Sequence, residues 1–173
     1  MNICGYIPES INEGEGLRAA IFISGCRHGC PGCFSPQTWN FKYGTPFDLA
    51  RQKQIIQQIA DNPLLDGLTI LGGDPFFSAA EVGDFIDLAR EQIPNLNIWL
   101  YTGYTFEKIA ADPSSTRYDL LIRGQVLVDG RFEQDLRDLS LPHRGSSNQR
   151  LIDIPQSLKQ GEAVLWNETL FTF

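Results

Sequence analysis

Residues 19–25 read AAIFISG, an unbroken apolar run of the kind buried on both faces of a parallel sheet, and this pattern predicts a strand. The period then changes. In TPFDLARQKQIIQQIADNP, Leu49, Ile55, Ile56 and Ile59 recur at helical spacing, which predicts a helix with Thr45 as N-cap and Pro46 at its first position, closing before Pro63. LTILGGDP reads as a second buried strand interrupted by a glycine pair, and SAAEVGDFIDLAREQIP as a helix with a capping box formed by Ser78 and Glu81. NIWLYTGY is a third strand, TFEKIAAD a short helix opened by Thr105, YDLLIR an apolar segment of undecided period, and VLVDG a further strand ended by a turn. Beyond Arg131 the pattern weakens to a short helix, a glycine-containing loop and a strand at QRLID. The tail IPQSLKQGEAVLWNETLFTF has no clear period.

Alternating strands and helices imply parallel strands joined by right-handed crossovers, in either an open doubly wound sheet or an incomplete barrel. A full eight-unit barrel needs about 250 residues, so at most about six units fit in 173. Both architectures place ligands at the carboxyl ends of the strands. Four loops are expected there: SGCRHGCPGCF, GGDP, YTGY and VDG. The length argues for one domain, and no internal repeat interrupts it.

A formal charge of -7 disfavours nucleic-acid or anionic-membrane partners, because phosphate recognition relies on Lys and Arg. The N-terminal stretch MNICGYIPESINEGEG does not read as a secretory signal, and no window reaches the length of apolar run that spans a bilayer. The expected location is cytoplasmic. In that reducing compartment, clustered cysteines point to metal binding or catalysis rather than disulfides.

Cys26, Cys30 and Cys33 fall within eight residues, in GCRHGCPGCF. A structural zinc site needs four ligands, and here only Cys4 or His28 is available to complete one. An iron-sulfur cluster held by three cysteines leaves one iron open to an exogenous ligand. An open cluster, a zinc site and an unmetallated redox loop therefore all stand as readings of this segment.

The pattern C-x-x-x-C-x-x-C followed by Phe34, in the loop after a first strand, resembles the signature of the radical S-adenosylmethionine enzymes. GGDP at Gly72 to Pro75 resembles their second motif, with Asp74 where many members have Glu. GEGLRAAIFISGC, CPGCFSPQTW, LGGDPF, YTGYTFE, VDGRFEQDLRD and RGSSNQR are together similar to the organic radical-activating branch that serves anaerobic ribonucleoside-triphosphate reductases. The likeness spans residues 1 to about 153, with its core from about 17, and leaves 154–173 as an extension of unknown role.

The resemblance implies an incomplete (β/α) barrel of about five to six units. It implies a 4Fe-4S cluster on Cys26, Cys30 and Cys33 and S-adenosylmethionine as the second cofactor, reductively cleaved to methionine and a 5'-deoxyadenosyl radical. That radical would take hydrogen from a glycine of the reductase's large subunit, with reduced flavodoxin or a similar protein as electron donor. The cofactor would be met by Gly32, Cys33 and Phe34 beside the cluster, by Gly72 and Gly73 as close-approach backbone, and by Asp74 as acceptor for the methionine ammonium. Thr102 and Asp129 would reach the ribose or carboxylate from later strand ends. Arg27 and His28 read as solvated loop residues, and Cys4 as a small buried hydrophobe. Arg144, Ser146, Ser147 and Asn148 form a polar group suited to capping the cofactor or receiving the partner's glycine loop, although loop chemistry explains them equally well.

Overall fold

A computed structural model describes residues 1–167, in which one seven-stranded mixed sheet is covered by helices. In chain order the strands are β1 (Asn2–Ser10), β2 (Arg18–Ile23), β3 (Thr45–Pro46), β4 (Gly67–Gly72), β5 (Ile98–Tyr101), β6 (Val126–Asp129) and β7 (Arg150–Asp153). The helices are α1 (Leu49–Ala60), α2 (Ala79–Gln92), α3 (Phe106–Ala110), α4 (Thr116–Leu121) and α5 (Ile154–Gln160). Across the sheet the order is β3-β1-β2-β4-β5-β6-β7. The central strands β2, β4, β5 and β6 run parallel, while β1, β3 and β7 join antiparallel at the flanks. The α/β class is as expected. The parallel repeat, however, has four strands rather than five or six, because the chain closes each flank with antiparallel strands instead of further crossovers.

Register sets the two faces of the sheet. Ile21, Ile70, Leu100, Leu127 and Ile152 lie opposite one another on successive strands and are fully buried in one core. Residues of all five helices pack on that same side, including Ile55 and Ile56, Phe85 and Ile86, Ile109, Leu121 and Leu158. Trp99, Val126, Val128 and Leu151, which alternate with core residues along their strands, form a smaller cluster on the opposite face. Helices therefore cover one face of the sheet only, whereas a doubly wound sheet carries them on both.

Local capping departs from the expected pattern at two helices. Thr45 and Pro46 pair with Ile3 and Asn2 as a short edge strand, so α1 starts three residues later, where Asp48 accepts from the Arg51 N–H at 2.9 Å. Ser78 occupies the N-cap of α2 without a side-chain bond, and Glu81 meets the N-terminal amino group of Met1. The undecided YDLLIR segment lies mostly in α4, capped by Ser115. β1 escapes the sequence reading because Gly5, Pro8 and two register breaks, at Ile3/Gly5 and Ile7/Ser10, erase its alternation.

The tail supplies structure that periodicity did not reveal. Asp153 caps α5, Gly161 ends it in the left-handed region, and Leu165 bridges to Ile152. Trp166 then packs edge-on against Trp99 and donates its indole N–H to Glu15 at 3.0 Å. Residues 168–173 of the extension lie outside the described part.

Arg18 ties the amino ends of the central strands together. Its guanidinium is 2% exposed, lies 5.2 Å from the Trp99 ring, and donates to Thr69 and to the Asn97 side chain, each at 2.9 Å. Burial pushes its pKa down to about 10, with nearby Asp66 opposing the shift, so it remains charged at neutral pH. Arg18→Leu fills similar space but removes the donor to the buried Thr69 hydroxyl, the Leu68 carbonyl and the Asn97 side chain. It is expected to destabilise the chain by about 2 kcal/mol, read as a lower midpoint in chemical denaturation.

Candidate cluster and cofactor site

The four loops that follow the parallel strands meet at one end of the sheet. They border a cleft of about 1040 Å³, at the upper end of the size range of small-ligand pockets. Its wall on the helix-free face includes Phe22, Leu71, Tyr101 and Val128. The cysteine loop forms one rim and contributes Cys26, Cys30 and Cys33.

The path of that loop is set by backbone conformations that favour glycine. Gly25, Gly29 and Gly32 have φ of 108°, 61° and 72°. The Cys33 N–H donates to the Cys30 carbonyl at 3.1 Å, and the Gly25 N–H to Thr38 at 2.7 Å. All three cysteines are free and partly buried. Burial pushes the Cys26 thiol up to about 11 and raises that of Cys30, so a metal must displace their protons on binding.

Among the described residues, no three His, Cys, Asp or Glu side chains gather as they would around one metal ion. A cluster takes each thiolate on a different iron, so its ligands need not converge on one point. Three free thiols on one loop, bordering a cleft with room for further groups, fit the cluster. Cys4 stands apart: it is partly buried on β1, with its Sγ donating to the Phe22 carbonyl at 3.3 Å.

GGDP crosses directly beneath the cysteine loop. The Gly73 N–H donates to Ile23 at 2.7 Å and the Asp74 N–H to the Gly25 carbonyl at 2.9 Å. A Cβ on Gly73 would sit 2.6 Å from that carbonyl oxygen, and one on Gly72, at φ 111°, equally close to the Ile23 backbone. Both glycines line the cleft.

Asp74 departs from the expected picture. Its carboxylate is 1% exposed and already engaged: Oδ1 accepts from the Phe76 N–H at 2.9 Å, and Oδ2 accepts from the Thr102 hydroxyl at 2.9 Å and the Gly103 N–H at 3.0 Å. Oδ2 also receives His28 Nε2 at 2.6 Å. Asp129 is likewise withdrawn, since it accepts from the Phe106 N–H and pairs with Arg150, which also reaches Glu107. As found, neither carboxylate offers a free oxygen to a cofactor. Thr102 does line the cleft, but its hydroxyl serves Asp74 and the Tyr104 N–H.

His28 is not a solvated loop residue. Its side chain is 5% exposed, with the Phe77 and Tyr104 rings 5.1 and 4.8 Å away. A Cβ on Gly103 would lie 2.5 Å from the imidazole, so the glycine of YTGY makes room for it. That glycine and the short acidic side chain of GGDP were the signals available in sequence, but only the fold brings them to His28.

The segment after β6 folds back over the cysteine loop. Phe34, 58% exposed at the rim, contacts the Phe132 ring at 5.1 Å and lies under Arg137 at 5.0 Å. Gly32 abuts Gln134, where a Cβ would come within 2.5 Å of the amide oxygen. The RGSSNQR group is divided. Arg144 and Gly145 line the cleft, buried Ser146 accepts from the Glu133 N–H, and Asn148 donates to the Arg131 carbonyl at 2.8 Å. Gln149 accepts from the Gly145 and Ser146 N–H groups and donates to Gly130.

Residues 12–152 match the family described as a 4Fe-4S single cluster domain. An anaerobic ribonucleoside-triphosphate reductase-activating protein of Pasteurella multocida is 40% identical over 152 residues, covering 86% of this chain and 95% of that one. Its namesake in Escherichia coli K12 is also 40% identical, over 86% and 96% of the two chains. One from enterobacteria phage T4 is 33% identical over 87% and 93%. No helix among the described residues is long and apolar enough to cross a membrane.

Proposed function

Since the chain belongs to the family of anaerobic ribonucleoside-triphosphate reductase-activating proteins, with a 4Fe-4S domain over most of its length, we propose that it activates such a reductase by generating a glycyl radical on its large subunit. In this reading the one-sided α/β sheet is a partial barrel of the radical S-adenosylmethionine type. Cys26, Cys30 and Cys33 hold the cluster, and the adjoining cleft takes S-adenosylmethionine. Together these groups supply one-electron cleavage to methionine and a 5'-deoxyadenosyl radical, which takes hydrogen from the partner's glycine.

The observation that carries this reading is the cleft itself, where three free cysteines on one strand-end loop border the same space as Gly72, Gly73 and Thr102. Gly72 and Gly73 let the end of β4 lie against the Ile23 and Gly25 backbone, where a Cβ would collide, and so hold the β4 end and the cysteine loop together at the cleft. Phe34, Cys33 and Gly32 flank the cluster side, with Gly145 packed against Phe34 and Phe132, and Arg144 also lines the cleft. Asp129 acts at one remove, by holding Arg150 and the start of α3 where they frame the β6 end. Exposed Ile11, Phe34 and Leu139 at the cleft give a protein loop apolar surface to enter against. Reduced flavodoxin or a similar protein supplies the electron.

Anaerobic reconstitution with iron and sulfide, followed by S-adenosylmethionine and a strong reductant, tests the chemistry. Methionine and 5'-deoxyadenosine are expected in equal amounts. A colourless protein holding stoichiometric zinc and yielding neither product would overturn the reading.

A further inference from the structure

We propose that His28 and Asp74 are a positioning pair that locks the cysteine loop to the ends of β4 and β5, and that Asp74 serves the cofactor through this pair rather than by touching it. The inference rests on the function proposed above and concerns the same site. Asp74 already accepts four hydrogen bonds, three at Oδ2 from His28, Thr102 and Gly103 and one at Oδ1 from the Phe76 N–H. An incoming ammonium would have to reach a carboxylate that is 1% exposed and has donors on both oxygens, and displacing any of those donors would leave a buried polar group unpaired.

The pair joins three loops at one point. His28 comes from the cysteine loop, Asp74 from the β4 end, and Thr102 and Gly103 from the β5 end. Cys26 and Cys30 stand two residues to either side of His28, so a shift of the imidazole moves both thiolates. The slot is shaped for the ring, with Phe77 and Tyr104 beside it and a glycine where a side chain would collide. Arg117 lies 4.5 Å from the Tyr104 ring on the outer side. Reaction geometry set to fractions of an ångström needs anchoring of this kind.

The test compares His28→Ala, Asp74→Ala and the double variant in reconstituted full-length protein, with Asp74→Asn and His28→Gln as conservative controls. Iron content should be largely retained. The electron spin resonance spectrum of the reduced cluster, and its change on adding S-adenosylmethionine, should be altered alike in both alanine variants. Cofactor affinity should fall about tenfold in each single variant and by the same tenfold, not a hundredfold, in the double, because both remove one interaction. His28→Gln, which keeps an N–H donor, should recover part of the loss. A hundredfold loss in the double variant, or a normal spectrum and affinity in His28→Ala, would overturn the pairing.

Amide exchange in the metal-free chain gives an independent arm. His28→Ala and Asp74→Ala should each speed exchange across residues 26–33, and unchanged protection there would also overturn the proposal. If the unaltered protein binds no S-adenosylmethionine, the functional reading fails while the exchange arm still judges the pair.

Discussion

Cys30→Ala is expected to lose essentially all of its iron, sulfide and visible absorbance after anaerobic reconstitution, and Cys26→Ala and Cys33→Ala to behave alike. Three protein ligands are the whole anchorage proposed for the cluster, so removing one leaves two thiolates and a second open iron. Nearby groups do not provide a ready replacement. His28, on the same loop, is held by Asp74. Cys4→Ala should keep the cluster, because its thiol is bonded to the Phe22 carbonyl on β1 and does not line the cleft. Iron and sulfide per chain measure both outcomes. Loss in Cys4→Ala as complete as in Cys30→Ala would sink the three-ligand assignment.

Gly73→Ala is expected to lower S-adenosylmethionine cleavage by about 100-fold, the penalty of displacing reacting groups by about an ångström. Gly73 does not have a positive φ, so alanine is not excluded by backbone conformation. The obstacle is contact. Its Cβ would stand 2.6 Å from the Gly25 oxygen, which is backbone and cannot swing aside like a side-chain tip. Relief requires the β4 end and the cysteine loop to separate, weakening the Asp74 N–H to Gly25 bond that joins them. Gly29→Ala is the contrasting control. A Cβ there meets nothing within 4 Å but sits at φ 61°, so only a backbone cost of about 1–2 kcal/mol is expected. Cleavage rates and thermal midpoints of the two variants separate contact from conformation. Equal rates would remove the close approach from the account.

What could be read from the chain was local. The runs AAIFI, LTIL, IWLY and VLV are dominated by apolar residues, and each makes up most of a parallel strand whose following loop borders the cleft. The cysteine spacing is visible within eight residues. β1 was hidden because a bulged strand containing glycine and proline loses its two-residue period. Thr45 and Pro46 look like a helix start until β1 exists to pair with them. α5 is only seven residues long, with buried Ile154 and Ser157 as its anchors, too short to show a period.

The polar site was less legible, for a related reason. Asp74 and Asp129 stand at strand ends, where a free carboxylate would serve a cofactor. Whether they are free depends on donors that lie far away in sequence: His28 is 46 residues from Asp74, and Arg150 is 21 from Asp129. A single sequence states the residue types but not these pairings. Buried His28 illustrates the converse, since a histidine between two cysteines looks solvated until a slot from two other loops closes around it.

The central claim is that the radical made in this cleft is delivered to a glycine of another polypeptide. The most direct measurement mixes the reconstituted protein, S-adenosylmethionine, a strong reductant and the reductase's large subunit without oxygen, and records the electron spin resonance spectrum. The account predicts a stable organic radical on the reductase that is absent when its radical-site glycine is replaced by alanine and absent with Cys30→Ala as the activase. Cleavage of S-adenosylmethionine with no such signal under any reducing condition, or the same signal on the glycine-less reductase, would contradict it.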